Sequence, residues 1–251
     1  MADKNIKIII EYDGSNFSGW QSQVEQKTIQ DEITEAIKKV TSIKVDLIGA
    51  GRTDSGVHAL GQVANFKIEH KLEPERFKDA INYYLPEGIR VLNSVEADFE
   101  FHARFDAIYR RYRYLIGSQK SAIYNKFRWE LEYELDFDLL QKAAKIIVGE
   151  HDFSPFCVVS SLKEDNRCKI EFSRWFKYGP LLFYEIRGNR FLHSMVRSLV
   201  GGMVNLALVN QDKNKLNLTL GKFKNILNIQ NNDRITFTAP PQGLYLVKVG
   251  Y

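Results

Sequence analysis

Asp54 is the residue of this chain whose type and setting best suit chemistry. It lies in the run Gly49-Ala50-Gly51-Arg52-Thr53-Asp54-Ser55-Gly56-Val57-His58-Ala59, with three glycines among eight residues. Glycines at that density allow tight turns and close approach of a ligand to the backbone. A phosphate or dinucleotide cradle is excluded. The GxGxxG pattern needs glycine at position 54 and a helix after it, but aspartate stands there, a strand pattern follows, and no GKT or GKS occurs. Two readings of Asp54 remain, a working carboxylate beside Arg52 and an ordinary turn aspartate, since Asp-Ser-Gly is good turn chemistry.

Two other stretches carry unusual chemistry. FHARFDAIYRRYRYLI, residues 101–116, interleaves aromatics with arginines. On a strand Arg110, Tyr112 and Tyr114 share one face, while Arg111 and Arg113 share the other. Such a surface suits stacking of bases on tyrosine and pairing of phosphates with arginine, or else it is an exposed amphipathic edge strand. Seven basic residues (Arg104, Arg110, Arg111, Arg113, Lys120, Lys126, Arg128) face one acid, Asp106, within residues 104–128. That local excess is larger than the net +4 of the whole chain, so the basic character is concentrated where a polyanion could bind. In FLHSMVRSLVGGMVNLALV, residues 191–209, Arg197 is the only charge from Met195 onward. A guanidinium in so apolar a helix either reaches water or needs an anion, and Asp54 is the candidate anion.

The elements that must position these residues follow from periodicity. Residues 6–12 read as a strand. A helix over 28–40 carries Ile29, Ile33, Ala36, Ile37 and Val40 on one face, opened by a capping box of Thr28 with Asp31. Strands are expected over 44–48 and 62–68, a helix over 74–85 with Pro74 in its first turn, and a strand over 89–95. The order is βαββαβ. The second half repeats it loosely: strand 109–116, helix 137–148, strands 174–178 and 182–187 around Gly179-Pro180, a helix over 191–209 and a strand over 244–249, with an extra polar helix over 218–227. The expected fold is therefore α+β, two tandem ferredoxin-like halves of mixed antiparallel sheets with helices. The halves are expected as residues 1–105, carrying the aspartate loop, and 106–251, carrying Tyr112 and Arg197. The cleft between them is the expected site.

With 44% hydrophobic and 26% charged residues among 251, the composition is that of an ordinary globular protein with a sizeable core. No apolar run reaches membrane-spanning length and the N-terminus does not read as a signal peptide, so a cytoplasmic protein is expected. Cys157 and Cys168 form no CxxC pair and five histidines are scattered, so no metal site is expected.

Taken together, these stretches resemble the tRNA pseudouridine synthase A family. The resemblance runs through YDGSNFSGWQSQ, GAGRTDSGVHALGQVANF, LPEGIRV, FHARFDAIYRRYRY, GEHDFSPF, FLHSMVRSLVGG and APPQGLYLVKVGY, in order over essentially the whole chain. Ser55, where the family often has alanine, is a small departure, and the Asn- and Lys-rich region 210–233 is the least family-like. The resemblance implies isomerisation of uridines 38, 39 and 40 in the anticodon stem-loop of tRNA by a homodimer without a cofactor. It implies Asp54 as nucleophile, Tyr112 as a substrate-contacting tyrosine, Arg197 as partner of the aspartate and Arg52 as the motif arginine. Arg52, Arg110, Arg111 and Arg113 are then expected to hold RNA phosphates. A carboxylate suits the reaction because it can attack the sugar C1′, as in retaining glycosidases, or the uracil C6. The rival readings are a non-catalytic RNA-binding protein built of sheet modules, and a base-excising glycosylase.

Overall fold

Every second residue of the first strand is apolar, and the strand buries that side. In β1 (Lys4–Tyr12) the side chains of Ile6, Ile8, Ile10 and Tyr12 all enter the core. A computed structural model describes residues 3–209, 218–227, 234–235 and 237–251. Thr28 opens α1 (Ile29–Thr41), accepting from the Asp31 amide at 3.3 Å and donating to Asp31 Oδ2 at 2.5 Å. The helix buries Ile29, Ile33, Ala36 and Ile37, and Thr41 rather than Val40 ends the inward stripe. The strand expected over 44–48 is reduced to β2 (Ile48–Gly49). Val45 and Leu47 still bury and Lys44 and Asp46 still face out, but the Leu47 carbonyl is taken by Gln30 Nε2 at 2.8 Å. Alternation there reported burial without strand pairing.

β3 (His58–Ile68) is longer than expected and pairs antiparallel with β1, which pairs on its other side with β4 (Ile89–Ala97). Between them the chain passes through a 3-10 turn at Pro74–Arg76 into α2 (Phe77–Tyr84). The strand order β4-β1-β3-β2 with two crossover helices is the ferredoxin-like arrangement.

The second unit starts from β5 (Tyr109–Gly117), which the two-residue β6 (Trp129–Glu130) joins in parallel at its C-terminal end. Asp136 caps α3 (Phe137–Ile146) through the Leu139 amide at 2.9 Å. β7 (Gly149–Asp152), β8 (Arg167–Tyr178) and β9 (Leu181–Gly188) complete an antiparallel order β5-β9-β8-β7. β8 begins seven residues before the expected strand. A bulge near Ile170 and Phe172 breaks its period, so Cys168 and Ile170 face inward with one phase and Ser173 and Trp175 with the other. The Gly179-Pro180 turn joins β8 to β9, with Gly179 at φ +54.

α4 (Met195–Leu206) starts four residues later than its apolar pattern suggested. Ser194 is left-handed at φ +58, and Phe191 lies edge-on against Tyr112 with ring centroids 5.1 Å apart. The residues before Met195 therefore form a turn, closed by the Met195 amide donating to the Leu192 carbonyl at 3.1 Å, instead of a first helical turn. α5 (Leu220–Ile226) corresponds to the extra polar helix, while residues 210–217 and 228–233 of the Asn- and Lys-rich region lie outside the described residues. The order β5-α3-β8-β9-α4 repeats β1-α1-β2-β3-α2 of the first unit.

The chain divides into one unit of Met1–Ile108 with Tyr245–Tyr251, and a second of Tyr109–Leu244. The sequence division at residue 105 had counted the last strand, β10 (Leu244–Gly250), with the second half. Its residues Tyr245 and Leu246 pair in parallel with His58 and Ala59 of β3, and the Ile108 amide donates to the Gly250 carbonyl at 2.8 Å. Tyr251 closes the segment by donating its hydroxyl to the Ala103 carbonyl at 2.7 Å. The protein is α+β, with a mixed sheet and, among the described residues, five α-helices. Among the described residues no helix is long and apolar enough to cross a membrane.

Candidate active site

The Asp54 loop connects β2 to β3 and is fixed residue by residue. The Ala50 amide donates to the Val63 carbonyl at 2.8 Å, and Gln62, fully buried, donates Nε2 to the Gly51 carbonyl at 2.8 Å. The Thr53 carbonyl accepts from the Trp20 amide at 3.1 Å, and Thr53 Oγ1 lies 2.7 Å from the Tyr12 hydroxyl. The Val57 amide donates to the Asp54 carbonyl at 3.1 Å, closing the turn, and Gly56 supplies the positive φ of +76. Ser55 Oγ and the Gly56 amide both reach the Phe17 carbonyl, at 3.2 and 3.4 Å. Thr53 is buried, Asp54 half-buried and Arg52 exposed. The carboxylate thus stands at the edge of the packed interior on a backbone with little freedom.

The cradle for this loop is the segment 13–20, which the sequence reading left without a role. Gly14 approaches the Val57 backbone so closely that a Cβ would overlap the Val57 carbonyl. Gly19, at φ +89, leaves only 2.6 Å between a built Cβ and the Thr53 carbonyl oxygen. At the start of β3, buried His58 accepts the Gly14 N–H on Nδ1 at 3.1 Å and stacks on Tyr245 with centroids 4.8 Å apart. The same Nδ1 lies 3.2 Å from Asp13 Oδ1, so His58 ties the cradle segment to the start of β3. Asp13 Oδ1 is also bonded to the Ser15 amide at 2.9 Å and hydroxyl at 2.6 Å. Burial, assisted by the Asp13 charge, pushes the Tyr245 phenol up from its ordinary range. Tyr12, His58 and Gln62 anchor the loop and its cradle by hydrogen bonds, and their signal in the sequence is only their place beside glycine-bearing turns.

The remaining candidates lie in the second unit. Tyr112 points inward from β5 and is 7% exposed, held by the edge contact with Phe191. Tyr114 is fully buried and donates to the Pro240 carbonyl at 2.7 Å. Burial raises its phenol well above the ordinary value, and nearby Arg197 pulls it part of the way back. Arg197 is half-buried on α4. Its Nε donates to the Ala239 carbonyl at 2.8 Å while the Ala239 amide donates to the Arg197 carbonyl at 3.0 Å, which fixes the plane of the guanidinium.

Arg111 and Arg113 do share the opposite face of β5, and there they meet Glu185 of β9. Arg113 donates Nε and Nη2 to Glu185 Oε1 at 3.0 and 2.6 Å, Arg111 Nη2 stands at 3.6 Å, and Arg174 Nη2 donates to Oε2 at 3.0 Å. Arg110 donates Nη1 to the Asn189 carbonyl at 2.9 Å on an exposed edge. Further along the basic stripe, Lys120 pairs with Glu132 at 2.8 Å and Arg128 lies 3.6 Å from Glu130. Acids from outside residues 104–128 therefore neutralise part of it. Burial pushes the Cys168 thiol up to about 12, which keeps it protonated. Among the described residues no three His, Cys, Asp or Glu side chains gather as a metal site.

A family model described as tRNA pseudouridine synthase matches residues 8–106 and 143–251, taking in the Asp54 loop, Arg197 and β10. That match defines the α+β chain as an isomerase. The intervening residues 107–142, which carry Tyr112, lie between the two matched segments. Proteins named tRNA pseudouridine synthase A align along the chain: that of Acetivibrio thermocellus is 41% identical over 99% of this chain and 100% of its own length. That of Caldicellulosiruptor saccharolyticus is also 41% identical with the same coverage, and that of Brachyspira hyodysenteriae is 36% identical over 96% of each. The chain belongs to the tRNA pseudouridine synthase family, whose members isomerise uridine in tRNA to pseudouridine.

Proposed function

We propose that this enzyme isomerises uridines 38, 39 and 40 of the tRNA anticodon stem-loop, with Asp54 as nucleophile. The observation that carries the reading is the Asp54 loop itself, a half-buried carboxylate whose own carbonyl and both neighbouring residues are held by hydrogen bonds. Such preorganisation is what a nucleophile needs and what an ordinary turn residue does not.

The reaction breaks the N1–C1′ bond of uridine, forms a C5–C1′ bond and releases the C5 hydrogen as a proton, so atoms and electrons balance without an oxidant or nucleotide. Exposure of the base from the anticodon arm precedes chemistry. Asp54 attacks either C1′ or C6, and the covalent bond to the enzyme breaks again as the C5–C1′ product is released. Arg197 pairs with the Asp54 carboxylate, keeping it ionised and aimed. Tyr112 contacts the uracil and assists loss of the C5 proton. Arg52 and Arg110 hold phosphates, with Arg111 and Arg113 contributing less because each shares the Glu185 carboxylate. The family resemblance supports a homodimer acting in the cytoplasm.

Tritium at C5 of the tRNA uracils tests this. The enzyme is expected to release tritium to water with no free uracil and no abasic site. Asp54→Asn binds tRNA and releases none, and Arg197→Met loses turnover far more than affinity. Free labelled uracil would identify a glycosylase, and binding without release by the unaltered protein would identify an RNA-binding module. Appreciable turnover by Asp54→Asn would return Asp54 to the role of a turn residue.

A further inference from the structure

The residue immediately before the nucleophile uses a hydroxyl in a way that a surface loop does not require. Thr53 is 6% exposed and Tyr12, at the end of β1, is 4% exposed, yet their hydroxyls face each other at 2.7 Å, the ordinary separation of an O–H···O bond. The same threonine accepts the Trp20 amide on its carbonyl. Its side chain is thus tied to β1 and its backbone to the cradle segment, so the peptide plane joining Thr53 to Asp54 is set from two directions. The Val57 amide sets the next carbonyl, that of Asp54. Gly19 presses on the Thr53 carbonyl from below at a separation that leaves no room for a side chain. Valine has nearly the shape of threonine and would fill the same space by dispersion alone, but it could not fix a direction.

We infer that Tyr12 and Thr53 are a positioning pair for Asp54, their buried hydroxyl–hydroxyl bond holding the nucleophile's backbone in the reactive setting. The inference rests on the reading of Asp54 as nucleophile. A misplacement of about 1 Å at reacting atoms can slow an enzyme by roughly a hundredfold, so a fraction of that is enough for about tenfold. Such a displacement acts on the chemical step and leaves tRNA affinity, spread over phosphate contacts, nearly untouched.

The experiment compares Tyr12→Phe, Thr53→Val, the double variant and Thr53→Ser, with Asp54→Asn alongside, in single-turnover tritium release and tRNA binding. Each single hydroxyl deletion is expected to lower the rate of the chemical step by about tenfold, with tRNA Kd within about twofold. Thr53→Ser keeps the hydroxyl and recovers most of the rate. The double variant is slowed less than the product of the two single effects. A full rate in Tyr12→Phe, a multiplicative double variant, or parallel losses of rate and affinity would each overturn the pair. Should Tyr12→Phe fold poorly, the contrast between Thr53→Ser and Thr53→Val decides the question at a single site. Turnover by Asp54→Asn would instead overturn the nucleophile assignment, so the two failures are distinguishable.

Discussion

Glu185 is a single acid among three guanidiniums, and its environment fixes its charge state. Burial alone would raise its pKa, but hydrogen bonds from Arg113 and Arg174 and the charge of Arg111 prevail and hold it below the ordinary carboxylate value. A carboxyl whose folded pKa is depressed contributes stability that is complete above its unfolded pKa, roughly 4.3, and is lost as pH falls through the folded value. Glu185→Gln is therefore expected to destabilise the protein at pH 7 by only about 1 kcal/mol, because the three arginines that lose their anion are partly exposed and keep water. Urea denaturation at a series of pH values checks this: the gap between variant and wild type closes only below about pH 4, where the wild type loses the same charge. An equal gap at all pH values would show that shape rather than charge is at stake. The facing of Arg111 and Arg113 was legible in the alternation of β5. Their partner was not, because Glu185 sits 72 residues from Arg113 and in β9 reads as an ordinary outward polar position.

At the scale of elements, the cradle 13–20 and the loop 49–57 work as one object. Gly14 and Gly19 are the positions where backbone meets backbone, and Gly19 adds a φ of +89 that side chains resist. Gly19→Ala is expected to cost about 2–4 kcal/mol, measured as a shift in denaturant midpoint, with turnover reduced further than that loss of folded protein explains. Unchanged turnover per folded molecule would separate the cradle from catalysis. Helices here were legible because a 3.6-residue stripe survives small errors at its ends, as Ile29, Ile33, Ala36 and Ile37 show. The bulge in β8 and the turn that leads into α4 were not, since each depends on contacts with residues remote in sequence. The cradle escaped notice for the same reason: Gly14 and Gly19 are fixed by what lies 34 to 43 residues further on, at Thr53 and Val57.

For the whole molecule the mild net charge of +4 conceals a sorted distribution, in which Glu185 engages Arg111 and Arg113 but neither Arg52 nor Arg110 is paired with it. Phosphate contacts release counterions, so tRNA affinity is expected to fall steeply with salt. Arg52→Gln and Arg110→Gln should each flatten the slope of log affinity against log salt by about one contact's share, roughly 0.7 to 0.9. Arg111→Gln and Arg113→Gln should flatten it less, since each already answers to Glu185. Binding titrations across salt concentrations measure all four. A larger change at Arg111 and Arg113 than at Arg52 and Arg110 would reverse the proposed RNA contacts.

The parallel strand β10 also orders events in time. A ribosome delivers Asp54 early, but Tyr245, which stacks on His58 and pairs with it across the sheet, comes only after all of residues 109–244. Until then His58 lacks the ring it stacks on, and the start of β3 lacks its parallel neighbour. The first unit is therefore completed only after residues 109–244 have been made, and the packing against His58 comes last.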